Sequence, residues 1–293
     1  MDRGFVGTAH DARRGSEFHE DLPALAVRAV ALASRLCDDC IHYHGSWPAL
    51  RLVEHGGLDF DRPHLLPLFR ELAGNPSRRH WLIAGMADTG LVATVGAAIW
   101  PISQDARITL VDRCETPLRL CWEYGERLGR RLDTVRADLN QFSPPELQDV
   151  VFAHSVLAHV PGTERVAMAA RFRQWLTQDG CLILSARLDD VLDQEDIDRQ
   201  TDPAHIRKMI AVLKKEGVDD EATLRQLSVW LPRSFADRSR RRGAHPTIPD
   251  LTALLDEAGF ANVRIVAEFA PPPRQLRPSG KNQRRAIIAA YAA

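Results

Sequence analysis

No stretch of this 293-residue chain approaches the roughly 18 to 20 apolar residues that a membrane-spanning helix requires. The first residues, MDRGFVGTAHDARRGSEFHED, lack an apolar core of signal-peptide length. An excess of one charge is also missing. Lys and Arg number 38 against 39 Asp and Glu, so the net charge of -1 gives no global attraction to nucleic acid or an anionic membrane. Two basic runs, RSRRR at 238–242 and RR at 130–131, are flanked by acids and read as solvated faces. Cysteine is scarce: five residues, an odd number with no secretion signal, argue for reduced thiols in a cytoplasm rather than a disulfide framework. There is no repeat of fixed period, and APPPRQLRPSG near the C-terminus is the one biased segment. What remains is an ordinary globular balance, 45% hydrophobic and 26% charged, sufficient for a sizeable core.

The chain divides by rhythm. Residues 22–40 carry Leu25, Val27, Val30, Leu32 and Leu36 on a broad helical stripe. A short helix is expected over 47–57, with Pro48 in its first turn and Gly56 at its end, and a third over 62–75, stopped by Gly74. From Trp81 onward, short apolar runs alternate with helical patterns. WLIAG, RITLVD at 107–112, LDTVRAD at 132–138, DVVFAHSVL at 149–157 and GCLILSAR at 180–187 read as strands. TGLVATVGAAIW, residues 116–129 with Thr116 as cap, and residues 164–176 read as helices. The rhythm breaks over 188–245, a charged helical insert, and resumes with IPDLTALLDEAGF (helix), ANVRIVAEF (strand) and RRAIIAAYAA (strand). Such alternation predicts an α/β, doubly wound, mostly parallel sheet. The expected organisation is an N-terminal helical cap over 1–75 and a nucleotide-binding domain over 76–293 that carries the insert.

The turn HWLIAGMADTG places Gly85, Ala87 and Gly90 where a strand enters a helix. This spacing also fits a dinucleotide fingerprint, with Asp112 about the right distance onward. A nicotinamide oxidoreductase is disfavoured by the helical stretch before the turn and by the lack of a Tyr-x-x-x-Lys pair after the sheet. A larger pattern covers roughly residues 60–293: the glycine turn, strands ending in Asp112 and Asp138, then DVVFAHSVLAHVP, FRQWLTQDGCLILSAR and LLDEAGFANVRIV. In this order the motifs resemble the class I S-adenosylmethionine-dependent methyltransferases that act on small molecules. The resemblance implies a Rossmann-like, seven-stranded sheet with an antiparallel last strand, S-adenosylmethionine as cofactor, and a small-molecule acceptor rather than nucleic acid or membrane. It implies that Gly85, Ala87 and Asp88 line the methionine end and that Asp112 accepts the ribose hydroxyls. Asp138 would accept from the adenine amino group, with His154 and Ser155 beside the sulfonium. The chain departs from the family's acid-x-Gly-x-Gly-x-Gly pattern at Ile83, Ala87 and Thr89. That departure supports the alternative of a methyltransferase-fold protein that binds or scaffolds without transferring methyl.

Methyl transfer needs a positioned acceptor and a base for its proton. His154 and His159 are the candidate bases, with Tyr43 and His44 in CIHYHGSWP as further candidates. Alternatively, His154 lines the adenine. Tyr43 and Trp47 wall the acceptor pocket, or anchor the cap to the sheet. In the insert, Trp230, Phe235, Arg233 and His245 mark a lid or a homodimer contact, with Trp230 and Arg233 as candidate substrate contacts. Cys37, Cys40, His42 and His44 invite a zinc reading, but their spacing is not that of the usual fingers, and no metal is expected.

Overall fold

The computed structural model describes residues 18–54, 57–188, 198, 200–240, 246–271 and 284–292. The chain begins with helices α1 (Leu22–Leu36), α2 (Ile41–Glu54) and α3 (Gly57–Ala73). The alternating region follows as β1 (His80–Ala84), α4 (Gly90–Ile99), β2 (Arg107–Asp112), α5 (Glu115–Arg127), β3 (Leu132–Arg136) and β4 (Gln148–His154). After two 3-10 turns, Val156–His159 and Gly162–Glu164, come α6 (Arg165–Trp175) and β5 (Leu176–Leu188). The insert contributes α7 (Pro203–Lys215) and α8 (Glu221–Arg240), and α9 (Ile248–Glu257), β6 (Phe260–Phe269) and β7 (Arg284–Ala292) complete the order.

The seven strands form one sheet in the order β3-β2-β1-β4-β5-β7-β6. β1 pairs in parallel with β2 and β4, as does β2 with β3 and β4 with β5. β7 lies antiparallel between β5 and β6. Dinucleotide-binding sheets instead run β3-β2-β1-β4-β5-β6. Period-two alternation assigns each strand residue to one of two cores. Trp81, Ile83, Ile108, Leu110, Phe152 and Ile183 meet α3, α4 and α5 on one face. Leu82, Val111, Val151, Leu182 and Leu184 meet α6 and α9 on the other. Burial on both faces explains why these strands read as unbroken apolar runs.

Three local expectations differ. Residues 47–57 are not a separate helix: α2 starts at Ile41 and carries Pro48 inside it. Pro48 has no N–H to return to His44, so the helix loses one internal bond there but continues on tertiary packing. Gly45 is part of that packing, because a Cβ on it would come within 2.3 Å of the Trp230 ring. α3 likewise begins earlier than expected, at Gly57, and accommodates Pro63 and Pro67. The cap of α5 is Cys114 rather than Thr116; Thr116 is buried and its hydroxyl lies 3.0 Å from Cys37 Sγ.

The insert is the other departure. α7 and α8 pack on α1 and α2, forming a separate apolar cluster that includes Val30, Leu50, Met209, Leu227, Trp230 and Phe235. Cap and insert are therefore one helical layer. No helix among the described residues is long and apolar enough to cross a membrane.

Candidate active site

The carboxyl ends of β1, β2, β3 and β4 open into a cavity of about 510 Å³, within the range of small-ligand sites. Gly85 forms the bend after β1, with φ +70 and its N–H donating to the Val111 carbonyl at 2.8 Å. A Cβ at this position would be strained and only 3.1 Å from Val156 Cγ2. Ser155, just past β4, is a non-glycine residue at φ 58, a conformation that tends to cluster where function requires it. Gly85, Ala87, Asp88, Asp112, Asp138, His154 and Ser155 all line this cavity, as do Tyr43, His44, Trp47 and His159.

Asp112 fixes the bend. Its Oδ2 accepts the Met86 N–H at 2.8 Å and its Oδ1 the Cys114 N–H at 2.7 Å. A carboxylate has about four acceptor positions, so roughly two remain for a ligand. Burial pushes Asp112 above the ordinary carboxylate value, opposed by those two N–H groups. Asp138 Oδ1 accepts from the Asn140 N–H at 2.8 Å, which shapes the turn after β3.

Asp88 takes a different position from its neighbours in the turn. Its side chain is 3% exposed, its Oδ2 accepts from Arg51 Nη1 at 2.9 Å, and its Oδ1 accepts the Gly90 N–H at 2.9 Å. Arg51 also grips Glu20 through both Nη atoms at 2.9 Å, and Thr89 donates to Glu20 at 2.7 Å. One guanidinium thus holds two buried carboxylates. Against burial, Arg51 lowers Glu20 to about 2, whereas Asp88 is pushed upward by burial and by Glu20's charge despite Arg51. The bidentate partner keeps the charge and the second partner is the easier to protonate. In effect, this cap-derived network holds the turn where the family pattern has glycines.

Under His154 lies a second buried network. His154 Nε2 is 2.8 Å from Asp61 Oδ2, Ser185 Oγ donates to the same oxygen at 2.5 Å, and Arg285 donates to both Asp61 oxygens at 2.5 Å. An ionised carboxylate only accepts, so Nε2 carries the proton and Nδ1 is the basic nitrogen. Burial acts to raise Asp61, but the charge of Arg285 and the bonds from His154 and Arg285 hold it below the usual carboxylate range. Tyr43 sits among aromatic neighbours at the rim: Trp47 at 5.3 Å, His44 at 5.0 Å and His159 at 6.2 Å between ring centroids.

Other expected residues lie elsewhere. Trp230 is 4% exposed in the cluster between insert and cap, and Arg233 is exposed on α8; neither lines the cavity. The reason is the docking of α8 on α2, which turns Trp230 onto Gly45. His245 lies outside the described residues. Of the Cys/His run, Cys37, Cys40 and His44 come together, and the residue that joins them is Cys114 rather than His42. His42 instead meets the Trp230 ring at 6.2 Å. Sequence reasoning passed over Arg51, Glu20, Asp61, Arg285 and Cys114. The signal available for three of them was a charge on the apolar stripe of an otherwise amphipathic helix or strand.

No protein-family model matches the chain, and no curated protein matches it. Solved structures do. An O-methyltransferase family protein from Burkholderia thailandensis is 14% identical at TM-score 0.50, covering 89% of this chain and 63% of that one. The 1,6-didemethyltoxoflavin-N1-methyltransferase of Burkholderia thailandensis, solved with 1,6-didemethyltoxoflavin and S-adenosylhomocysteine, is 15% identical at TM-score 0.49, covering 100% and 93%. The N-methyltransferase NodS from Bradyrhizobium japonicum WM9, in complex with S-adenosylhomocysteine, is 14% identical at TM-score 0.49, covering 90% and 98%. The chain thus spans less than two thirds of the first of these. Together with the strand order, the likeness shows the Rossmann-like fold of the class I methyltransferases.

Proposed function

We propose that this protein transfers a methyl group from S-adenosylmethionine to an O, N or C atom of a small-molecule acceptor. The observation that carries the reading is the convergence, in one cavity, of two strand-tip carboxylates, a glycine bend in left-handed backbone, and an aspartate-backed histidine. The residues present fit the cofactor. Asp112 has acceptor positions left for two ribose hydroxyls, Asp138 stands at the next strand tip for the adenine amino group, and Gly85 to Ala87 offer backbone to the methionine end. When bound, S-adenosylmethionine supplies an electrophilic methyl carbon on its sulfonium.

This chain's residues would do the rest. His154 Nδ1 takes the acceptor's proton while Asp61 stabilises the resulting imidazolium through Nε2. Tyr43, Trp47 and His159 wall the acceptor and exclude water at the rim. His159 is the further candidate base that lines the cavity. A small-molecule acceptor, rather than a nucleic acid, is supported by the balanced net charge, which gives no global attraction to phosphate. Five free cysteines suit a reducing, cytoplasmic setting.

The test is a calorimetric titration with S-adenosylhomocysteine and S-adenosylmethionine. Saturable one-to-one binding supports the reading, and no binding of either at millimolar concentration ends it. His154→Gln should retain that binding while the transfer rate drops about 10²- to 10⁴-fold, the usual contribution of a general base. A second reading, binding without transfer, is favoured by Ala87 and Thr89 in the turn. Acceptor-dependent release of S-adenosylhomocysteine over a panel of small molecules separates the two: release indicates turnover, and saturable cofactor binding with no release from any acceptor indicates binding alone.

A further inference from the structure

The geometry points to a closed zinc site, built by Cys37, Cys40, His44 and Cys114, that rivets the helical cap to the cofactor-binding edge of the sheet. The four ligand atoms all lie within 4.8 Å of one another. Cys37 Sγ is 3.3 Å from Cys114 Sγ and 3.8 Å from His44 Nδ1. Zinc bonds of about 2.3 Å to sulfur and 2.0 to 2.1 Å to nitrogen, set tetrahedrally, would place such atoms about 3.8 and 3.5 Å apart. The two closest pairs need shifts of about 0.3 to 0.5 Å, and the 4.8 Å limit on every other pair leaves at most about 1 Å to close.

Chemistry selects the metal. Three sulfurs and one imidazole are a soft donor set that favours zinc over magnesium or calcium. His44 and Cys114 are buried and Cys37 and Cys40 half-buried, so four protein ligands close the coordination shell and leave no position for substrate. On binding, the three thiols lose their protons to solvent and the neutral imidazole keeps its second N–H, giving a site of net charge -1. The hydroxyl of Thr116, 3.0 Å from Cys37 Sγ, is in place to donate to that sulfur, as outer partners of metal ligands do.

The placement gives the site a consequence. Cys37 lies just past α1, Cys40 and His44 at the start of α2, and Cys114 at the cap of α5. The same Cys114 donates its N–H to Asp112, the acid at the tip of β2. A metal here fixes the wall formed by Tyr43 and Trp47 relative to the ribose-binding turn. It also commits His44 to the metal rather than to proton transfer. Structural zinc is the role, and the inference stands whether or not the cavity transfers methyl.

The test uses the full chain, purified under reducing conditions without a histidine tag and from zinc-supplemented growth. Elemental analysis should find about one zinc per chain, and cobalt substitution should give intense tetrahedral absorption with thiolate-to-cobalt charge transfer. Cys114→Ser should lose the metal to a chelator at least about tenfold more readily, as should Thr116→Val, while Cys181→Ser, buried elsewhere, should not. Zinc below about a tenth of an equivalent overturns the proposal. So does a cobalt spectrum without thiolate charge transfer, or a Cys37–Cys114 disulfide in the isolated protein. If Cys114→Ser fails to fold, the metal content and cobalt spectrum of the unaltered chain decide alone. None of these readouts involves the cofactor, so failure of the methyl-transfer reading would leave them unchanged.

Discussion

The two walls of the cavity are built on different principles. The sheet wall is apolar behind and polar only at its tips: Leu82, Ala84, Leu110 and Val151 are fully buried, and Asp112 and Asp138 stand at or just past the ends of their strands. Where the cap meets the sheet, charge is buried. Arg51, Glu20 and Asp61 of the cap, with Asp88 of the turn after β1 and Arg285 of β7, are all almost fully enclosed, and each is held by a partner far away in sequence. A sheet residue can be exchanged for another of similar volume at modest cost, because its stabilisation scales with area. A buried charge cannot lose its partner, because the remaining ion keeps its desolvation penalty without compensation.

The contrast can be broken at several points. The largest effect is expected from Arg51→Met, which leaves Asp88 buried without its cation and Glu20 with Arg62 alone, 3.1 Å away. Chemical denaturation should show a loss of about 3 to 5 kcal/mol, as for other broken buried pairs. A loss below that of Leu82→Ala, expected at about 2 to 5 kcal/mol, would mean that the charged wall matters less than the apolar one. Next is acid. Glu20 is held at about 2 against an ordinary value of 4.5, so its contribution is complete above about pH 4.5 and disappears as pH falls toward 2. Asp88, shifted upward, works in the opposite sense and offsets part of it. Unfolding midpoints measured across this interval should fall more steeply in the parent chain than in Glu20→Gln; parallel curves would remove Glu20 from the account.

Asp112→Ala tests the sheet wall. Calorimetry should show S-adenosylhomocysteine affinity weakened by about 1 to 3 kcal/mol, the worth of charge-assisted hydrogen bonds at a buried site. Unchanged affinity would place the ribose elsewhere. The smallest effect is expected from Gly85→Ala, which forces a side chain into left-handed backbone and onto Val156. About 1 to 2 kcal/mol of stability should be lost, read as a lower thermal midpoint.

The same contrast explains what could be read in advance. Strands such as RITLVD and DVVFAHSVL announce themselves because burial on both faces needs an unbroken apolar run, and β2 spans Arg107–Asp112 as expected. The order of motifs carried the antiparallel β7 as well. α2 was harder, since Pro48 imitates a helix start when its neighbours in space are unknown. The partners of His154 were not legible at all. Asp61 is 93 residues earlier and Arg285 is 131 later, and nothing local links them. Cys114 was hidden for the same reason: the Cys-x-x-Cys pair was visible, but its third sulfur arrives from the other side of the fold.

Arg285 belongs to β7, which enters the middle of the sheet only after β6 has been made. Until β7 is made, β6 has no strand to pair with and Asp61 lacks its cation. A nascent chain stalled before that strand would carry an anion in the hollow that it could shed only by taking up a proton or staying open to water.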